Sequence, residues 1–185
     1  MFTSVIRSLA TASVLAASAF VAHAENPMVG GAPMYAEKNI VENAVNSKDH
    51  TTLVAAVKAA GLVETLEGKG PFTVFAPTNA AFDGLPAGTV ETLLKPENKD
   101  KLTKVLTCHV VAADAMASAI AGMIKDDGGA HDVKTVGGCV LKAKEDGGKL
   151  TLTDETGGTA TVTIADVKQS NGVIHVIDKV LLPKG

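Results

Sequence analysis

From Ala36 onward the apolar positions recur at helical spacing. Ile40, Val41, Ala44 and Val45 form one stripe, Ser47-Lys-Asp-His50 interrupts it, and Leu53, Val54, Val57 and Ala60 form a second that stops at Gly61. Leu62, Val63 and Leu66 predict one more helical turn before Gly68-Lys-Gly70. The pattern then changes. Gly70-Pro71 is punctuation, and Thr73-Val-Phe75 is a β-branched and aromatic triplet suited to a short strand. Pro77 has no N–H to give a ladder and should end that strand, while the Thr78 hydroxyl is placed to cap a helix through Asn79-Ala-Ala-Phe82. Pro86 to Leu94 predicts a brief helix with Val90, Leu93 and Leu94 inward. Pro96 fits the first turn of the next, whose stripe is Leu102, Val105, Leu106 and His109.

Beyond Val111 the texture is different. Asp114 is positioned to cap a short helix carrying Met116, Ile120 and Met123, ended by Asp126-Asp-Gly-Gly129. Short alternating segments follow, separated by Gly137-Gly138, Asp146-Gly-Gly148, Gly157-Gly158 and Asn171-Gly172. Such pairs supply the positive φ of tight hairpins, so Cys139 to Leu182 predicts an antiparallel meander. Its last strand, Val173-Ile-His-Val-Ile-Asp178, is apolar on both sides, which places it inside the sheet with His175 hydrogen-bonded. Helices first and strands later, with one early strand, make the fold class α+β.

The N-terminus is of another kind. Residues 1–24 read as an export signal: Arg7 precedes an uncharged apolar run from Leu9 to Ala22, and Ala22-His-Ala24 offers small residues for cleavage after Ala24. Removing it leaves 16 Lys and Arg against 20 Asp and Glu, a formal charge of −4. That balance gives no footprint for nucleic acid or anionic lipid. About 160 residues remain, enough for one domain and its core. Residues 25–35 lack a hydrophobic period and are expected to be an extended arm. Met28 and Met34 in this arm are two apolar anchors, or else thioethers of a Cu(I)-type site, without a Met-x-x-Met or His-rich tract to support the metal.

Once the signal is gone, Phe72, Phe75 and Phe82 are the only phenylalanines and Tyr35 the only other aromatic residue. Large-ring burial is therefore concentrated in residues 70–82, around which the rest of the chain should organise. No Gly-x-Ser-x-Gly elbow, His-Glu-x-x-His or phosphate-binding glycine loop is present. Cys108 and His109 are a poor nucleophile pair, because neighbouring side chains on a helix diverge. No catalytic residue and no cofactor is assigned.

Three segments resemble the fasciclin domain family. Thr73-Val-Phe-Ala-Pro-Thr-Asn-Ala-Ala-Phe82 is similar to its first signature, and Asn171-Gly-Val-Ile-His-Val-Ile-Asp-Lys-Val-Leu-Leu-Pro183 to its second. Leu106-Thr-Cys-His-Val-Val111 is similar to the central Tyr-His motif, with Cys108 in the tyrosine position. The resemblance spans Ala36 to Pro183, so residues 36–185 are assigned to one fasciclin domain. It implies a twisted β-wedge flanked by helices and a non-enzymatic role in cell adhesion or extracellular protein interaction. The expected protein is secreted or periplasmic and monomeric, with a protein or cell-surface component as partner. The alternative is a periplasmic carrier of a small ligand or metal, using Met28, Met34 and a histidine.

The motifs put candidate binding positions at Asn79, His109 and His175. Read as residues, both histidines are expected to be structural, since a lone histidine on an apolar stripe is usually a satisfied core group. Cys108 and Cys139 are two thiols in an oxidising compartment, and Cys108 leaves the space of the family's tyrosine to be filled. A bridge between them is favoured over two separate buried thiols.

Overall fold

The computed structural model describes residues 26–184. The export segment expected over residues 1–24 lies outside them. Residues 25–35, expected to be extended, instead contain a small hairpin of β1 (Met28–Val29) and β2 (Ala32–Pro33). Gly30 and Gly31, with φ of 59° and 76°, turn it. A Cβ on Gly30 would collide with Ser47 Oγ and the amides of Lys48 and Asp49, and Lys48 N donates to Gly30 O at 3.1 Å. Close docking, not hydrophobic period, holds this segment. Met34 is buried while Met28 is 57% exposed, so one methionine anchors the segment and the two sulfurs sit in unlike surroundings.

Helix α1 (Ile40–Ala44) opens on a capping box in which Asn39 Oδ1 accepts from Glu42 N and Glu42 Oε2 accepts from Asn39 N, each at 2.9 Å. The helix ends before Val45, which is 49% exposed and does not extend the inner stripe as expected. After a 3₁₀ turn at Lys48–His50, α2 (Thr51–Ala60) stops at Gly61 in the left-handed region, and α3 (Val63–Glu67) follows. Strand β3 (Phe72–Pro77) runs straight into α4 (Asn79–Asp83), capped as anticipated by Thr78 Oγ1 accepting from Ala81 N at 3.2 Å. Helix α5 (Thr89–Leu93) is shorter than the expected Pro86 to Leu94, because Gly88 at φ 82° breaks its first turn. Val90, Leu93 and Leu94 are only half-buried. A 3₁₀ turn at Pro96–Asn98 leads into α6 (Lys99–Thr107).

Helix α7 (Ala117–Asp126) is not capped by Asp114. Asp166 Oδ1 accepts from Ala117 N at 2.7 Å instead. Asp114 stands two residues before the N-cap position at Met116, and the cap is supplied from across the sheet.

The remaining strands are β4 (Val110–Val111), β5 (His131–Lys134), β6 (Val140–Asp146), β7 (Lys149–Thr153), β8 (Thr159–Gln169) and β9 (Gly172–Ile177). With β3 they form one seven-stranded sheet in the order β4-β3-β9-β8-β7-β6-β5, antiparallel throughout except for β3 against β9. The meander is as expected, and β9 is interior. Neither β4 nor β5 is signalled by the hydrophobic pattern. Gly147 and Gly148, at φ 56° and 79°, make the β6–β7 turn, whereas Ser170-Asn171 form the β8–β9 loop and Gly172 already belongs to β9. Register shifts within β8 around Ile164 bend the long strand and curl the sheet.

The curl brings the two margins of the sheet together. Val136 N, just beyond β5, donates to Val110 O of β4 at 2.7 Å, and Gly137 N donates to Thr107 O at 3.0 Å. A disulfide between Cys108 and Cys139, with Cα atoms 5.4 Å apart, closes this seam as favoured from sequence. Both cysteines are buried. Successive residues of β3 and β9 serve two cores. Val74, Ala76, Ile174 and Val176 meet the helices, while Phe75 and Ile177 enter the curl with Ile120, Leu141 and Leu152.

Candidate functional site

The three motifs meet around Phe75. Its N–H donates to His109 O at 2.8 Å on one side, and on the other it pairs with His175 in the β3–β9 register. The Phe75 and His175 rings stack with centroids 5.7 Å apart. His109 and His175 thus lie on strands or strand entries flanking the same residue. Asn79 is elsewhere, in the first turn of α4.

None of these side chains is idle. Asn79 Oδ1 accepts from Thr52 N at 3.0 Å and from Thr51 Oγ1 at 3.2 Å, and its Nδ2 donates to Lys48 O at 2.8 Å, so it fastens the start of α2 to α4. His109 Nε2 accepts from Leu181 N at 2.9 Å, which leaves Nδ1–H to donate to Val105 O at 2.8 Å. His175 Nδ1 accepts from Asp166 N at 3.2 Å, and Nε2–H donates to Ala115 O at 2.8 Å. The two rings hold opposite tautomers, each dictated by an amide that can only donate.

Burial keeps both rings neutral. It pushes the His109 pKa down to about 4, outweighing the Val105 carbonyl and the Asp154 carboxylate, which favour the cation. His175 is lowered by burial against the Ala115 carbonyl and the Asp166 and Asp114 carboxylates. A neutral, doubly hydrogen-bonded imidazole has no lone pair left for a metal or a substrate proton. Among the described residues no group of three or more His, Cys, Asp or Glu could hold a metal ion.

Several fastening residues escape a reading of the sequence. Asn43 is completely buried in α1, with Oδ1 accepting from Tyr35 N at 3.0 Å and Nδ2 reaching Tyr35 O and Gln169 Oε1. Asn171, legible only as a turn former, accepts from Ile40 N at 3.0 Å and donates to Leu66 O and Gly68 O at 2.7 and 2.8 Å. Beside it a Cβ on Gly172 would strike the backbone of Phe72, so the glycine is required by close approach. Asp154 accepts from Thr156 N, Gly158 N and Leu182 N at 2.8–2.9 Å. His109 and Asp154 therefore pin consecutive amides of the segment after β9. The one hint in the sequence is a polar side chain set among apolar neighbours.

A polar cleft of about 340 Å³ opens between Lys69, Asp114, Lys168 and Ser170 at the β8–β9 loop. An apolar trough runs between α1, α2 and α3, floored by Val74, Leu106 and His109.

The fasciclin-domain family model matches residues 48–183. The chain is 53% identical over 144 residues to protein sll1483 of Synechocystis sp., covering 78% of this chain and 73% of that protein. It is 36% identical over 166 residues to the cell surface glycolipoprotein MPB83 of Mycobacterium bovis, covering 86% and 68% of the two. The fold is similar to that of a FAS1 domain pair from the insect cell adhesion molecule fasciclin I, with a TM-score of 0.69 at 17% identity over 78% of this chain and 51% of that one. With the curled sheet, the flanking helices and all three motifs in place, the chain belongs to the fasciclin-domain family.

Proposed function

We propose that the protein is an exported, non-enzymatic module that makes contacts at the cell surface or within the envelope. The observation that carries this reading is the internal use of every polar atom on Asn79, His109 and His175. Those residues build a rigid frame and leave recognition to the outer surface. The buried disulfide suits an oxidising compartment, and the bonded margins of the sheet leave fewer strand edges open to unwanted pairing. The naming of MPB83 as a cell surface glycolipoprotein and of fasciclin I as a cell adhesion molecule supports the same placement. No helix among the described residues is long and apolar enough to cross a membrane.

The test is retention of beads coated with the disulfide-intact protein by envelope fragments. Saturable retention that survives His175→Gln in its folded fraction supports the reading. Absence of retention by any envelope fraction contradicts it.

A further inference from the structure

We propose that His50 is an acid-sensitive latch beneath the N-terminal hairpin: when its ring takes up a proton, β1 and β2 lift away while the rest of the domain stays folded. The latch does not depend on the adhesion reading. His50 is 3% exposed, and its Nε2 is the one buried side-chain nitrogen or oxygen without a hydrogen-bond partner among the described residues. Its Nδ1 shares a hydrogen bond of 2.8 Å with Ser47 Oγ. One ring nitrogen is thus committed, and the other has no acceptor waiting for a second N–H.

The surroundings of the ring are apolar on every side. It borders a small cavity that also receives Val29 and Met34 from the hairpin, Ile40 from α1, Leu53 from α2 and Ala76 from β3. No charged residue of the hairpin, α1, α2, β3, β8 or β9 lines that cavity. The charged neighbours are Lys48 and Asp49 of its own 3₁₀ turn, both exposed. Burial lowers the His50 pKa, outweighing the Ala76 carbonyl and the Asp49 carboxylate, which favour the cation. Protonation therefore favours any state in which the ring reaches water.

Of the elements around the cavity, the hairpin opens at least cost. Its strands have two residues each and form a sheet of their own, apart from the seven-stranded one. It is docked by the buried Val29 and Met34, by Lys48 N donating to Gly30 O at 3.1 Å, and by Tyr35 N donating to Asn43 Oδ1 at 3.0 Å. Gly30 lies directly against Ser47, the residue that holds Nδ1, so a displaced ring acts on the hairpin turn through one side chain. The other walls are tied more deeply, α1 by Asn43 and Asn171, and β3 and β9 by pairing on both sides. Small peripheral elements open with free energies well below that of global unfolding. Lifting this one uncovers Val29, Met34 and the cavity wall, an apolar strip presented only in acid.

Amide hydrogen exchange of the disulfide-intact protein, followed by NMR between pH 6.5 and pH 5, tests the proposal. The reporters are the docking amides of Lys48 and Tyr35, and the reference is Phe75 N–H, bonded inside the sheet. After correction for intrinsic exchange, protection at Lys48 and Tyr35 should fall by up to about tenfold per pH unit, the slope of one proton. Phe75 should stay the better protected at every pH. His50→Gln, which cannot titrate, should flatten the profile at Lys48 and Tyr35 and leave that of Phe75 in place. If His50→Gln does not fold, the wild-type protein decides: the Met34 methyl signal should move along the titration of the His50 ring. Protection at Lys48 and Tyr35 that is independent of pH, that always equals that of Phe75, or that keeps its slope in His50→Gln would overturn the latch, as would a Met34 methyl that stays put while the ring titrates.

Discussion

Phe75 and His175 stack ring on ring across the only parallel strand pair of the sheet, 5.7 Å between centroids, and both are fully buried. This contact joins the first signature to the second. Phe75→Ala is expected to cost about 3–5 kcal/mol, the range for deleting a buried ring. Charge changes at the exposed Lys142 or Lys149 should cost under about 0.5 kcal/mol. Chemical denaturation of the three variants measures this, and a Phe75→Ala loss below about 1 kcal/mol would refute the organising role of residues 70–82.

The Cys108–Cys139 bridge spans 31 residues of sequence and closes the seam between β4 and the segment after β5. The chain-entropy relation gives about 3–4 kcal/mol for a loop of this size. Cys139→Ser should lower stability by up to that amount. Thiol titration of the denatured, unreduced protein should find no reactive thiol; two per chain would rule the bridge out.

Asn171 connects the β8–β9 loop to the start of α1 and the end of α3 through three hydrogen bonds. Asn171→Ala leaves Ile40 N and two carbonyls without partners, at about 1–3 kcal/mol for each stranded buried group, reduced where water enters. Asn79→Ala should cost less, because its contacts are half-exposed. Paired denaturation curves compare them, and an Asn171→Ala loss no larger than that of Asn79→Ala would contradict the ranking.

The pH dependence follows from the buried imidazoles. His109 is neutral in the fold with a pKa of about 4, while the unfolded chain carries the ordinary 6.5. Between those values the unfolded state binds more protons, so stability falls as pH drops from 6.5 and levels off below 4. Burial lowers His50 and His175 too, which adds to the same acid loss. For His109 alone the full effect is on the order of 3 kcal/mol. Denaturation midpoints measured from pH 7 to pH 4 should fall continuously, and a flat profile would contradict neutral burial of the rings.

Legibility from sequence tracked how local each cause was. The Thr78 cap, the Gly61 stop and the Gly147-Gly148 turn depend on residues within one turn of the chain, and all stand as read. Where the cause is distant, the local sequence carries no sign of it. Asp166 caps α7 from 49 residues away, Gln169 meets Asn43 from 126 away, and Lys48 pairs with Gly30 to fix a hairpin that has no hydrophobic period. Strands β4 and β5 have two and four residues and owe their place to the seam. The motif positions were legible as positions. That their polar atoms would all be spent internally is a property of the assembled sheet, because Leu181, Val105, Asp166 and Ala115 come from four separate segments.

If His109 and His175 hold the fold together and leave recognition to the outer surface, stability and binding must separate in their variants. The most direct measurement combines thermal unfolding of His109→Gln and His175→Gln with envelope retention scored per folded molecule. Each variant should melt at a lower temperature than wild type, with retention of the folded fraction unchanged. An unchanged melting temperature with retention abolished would contradict the claim.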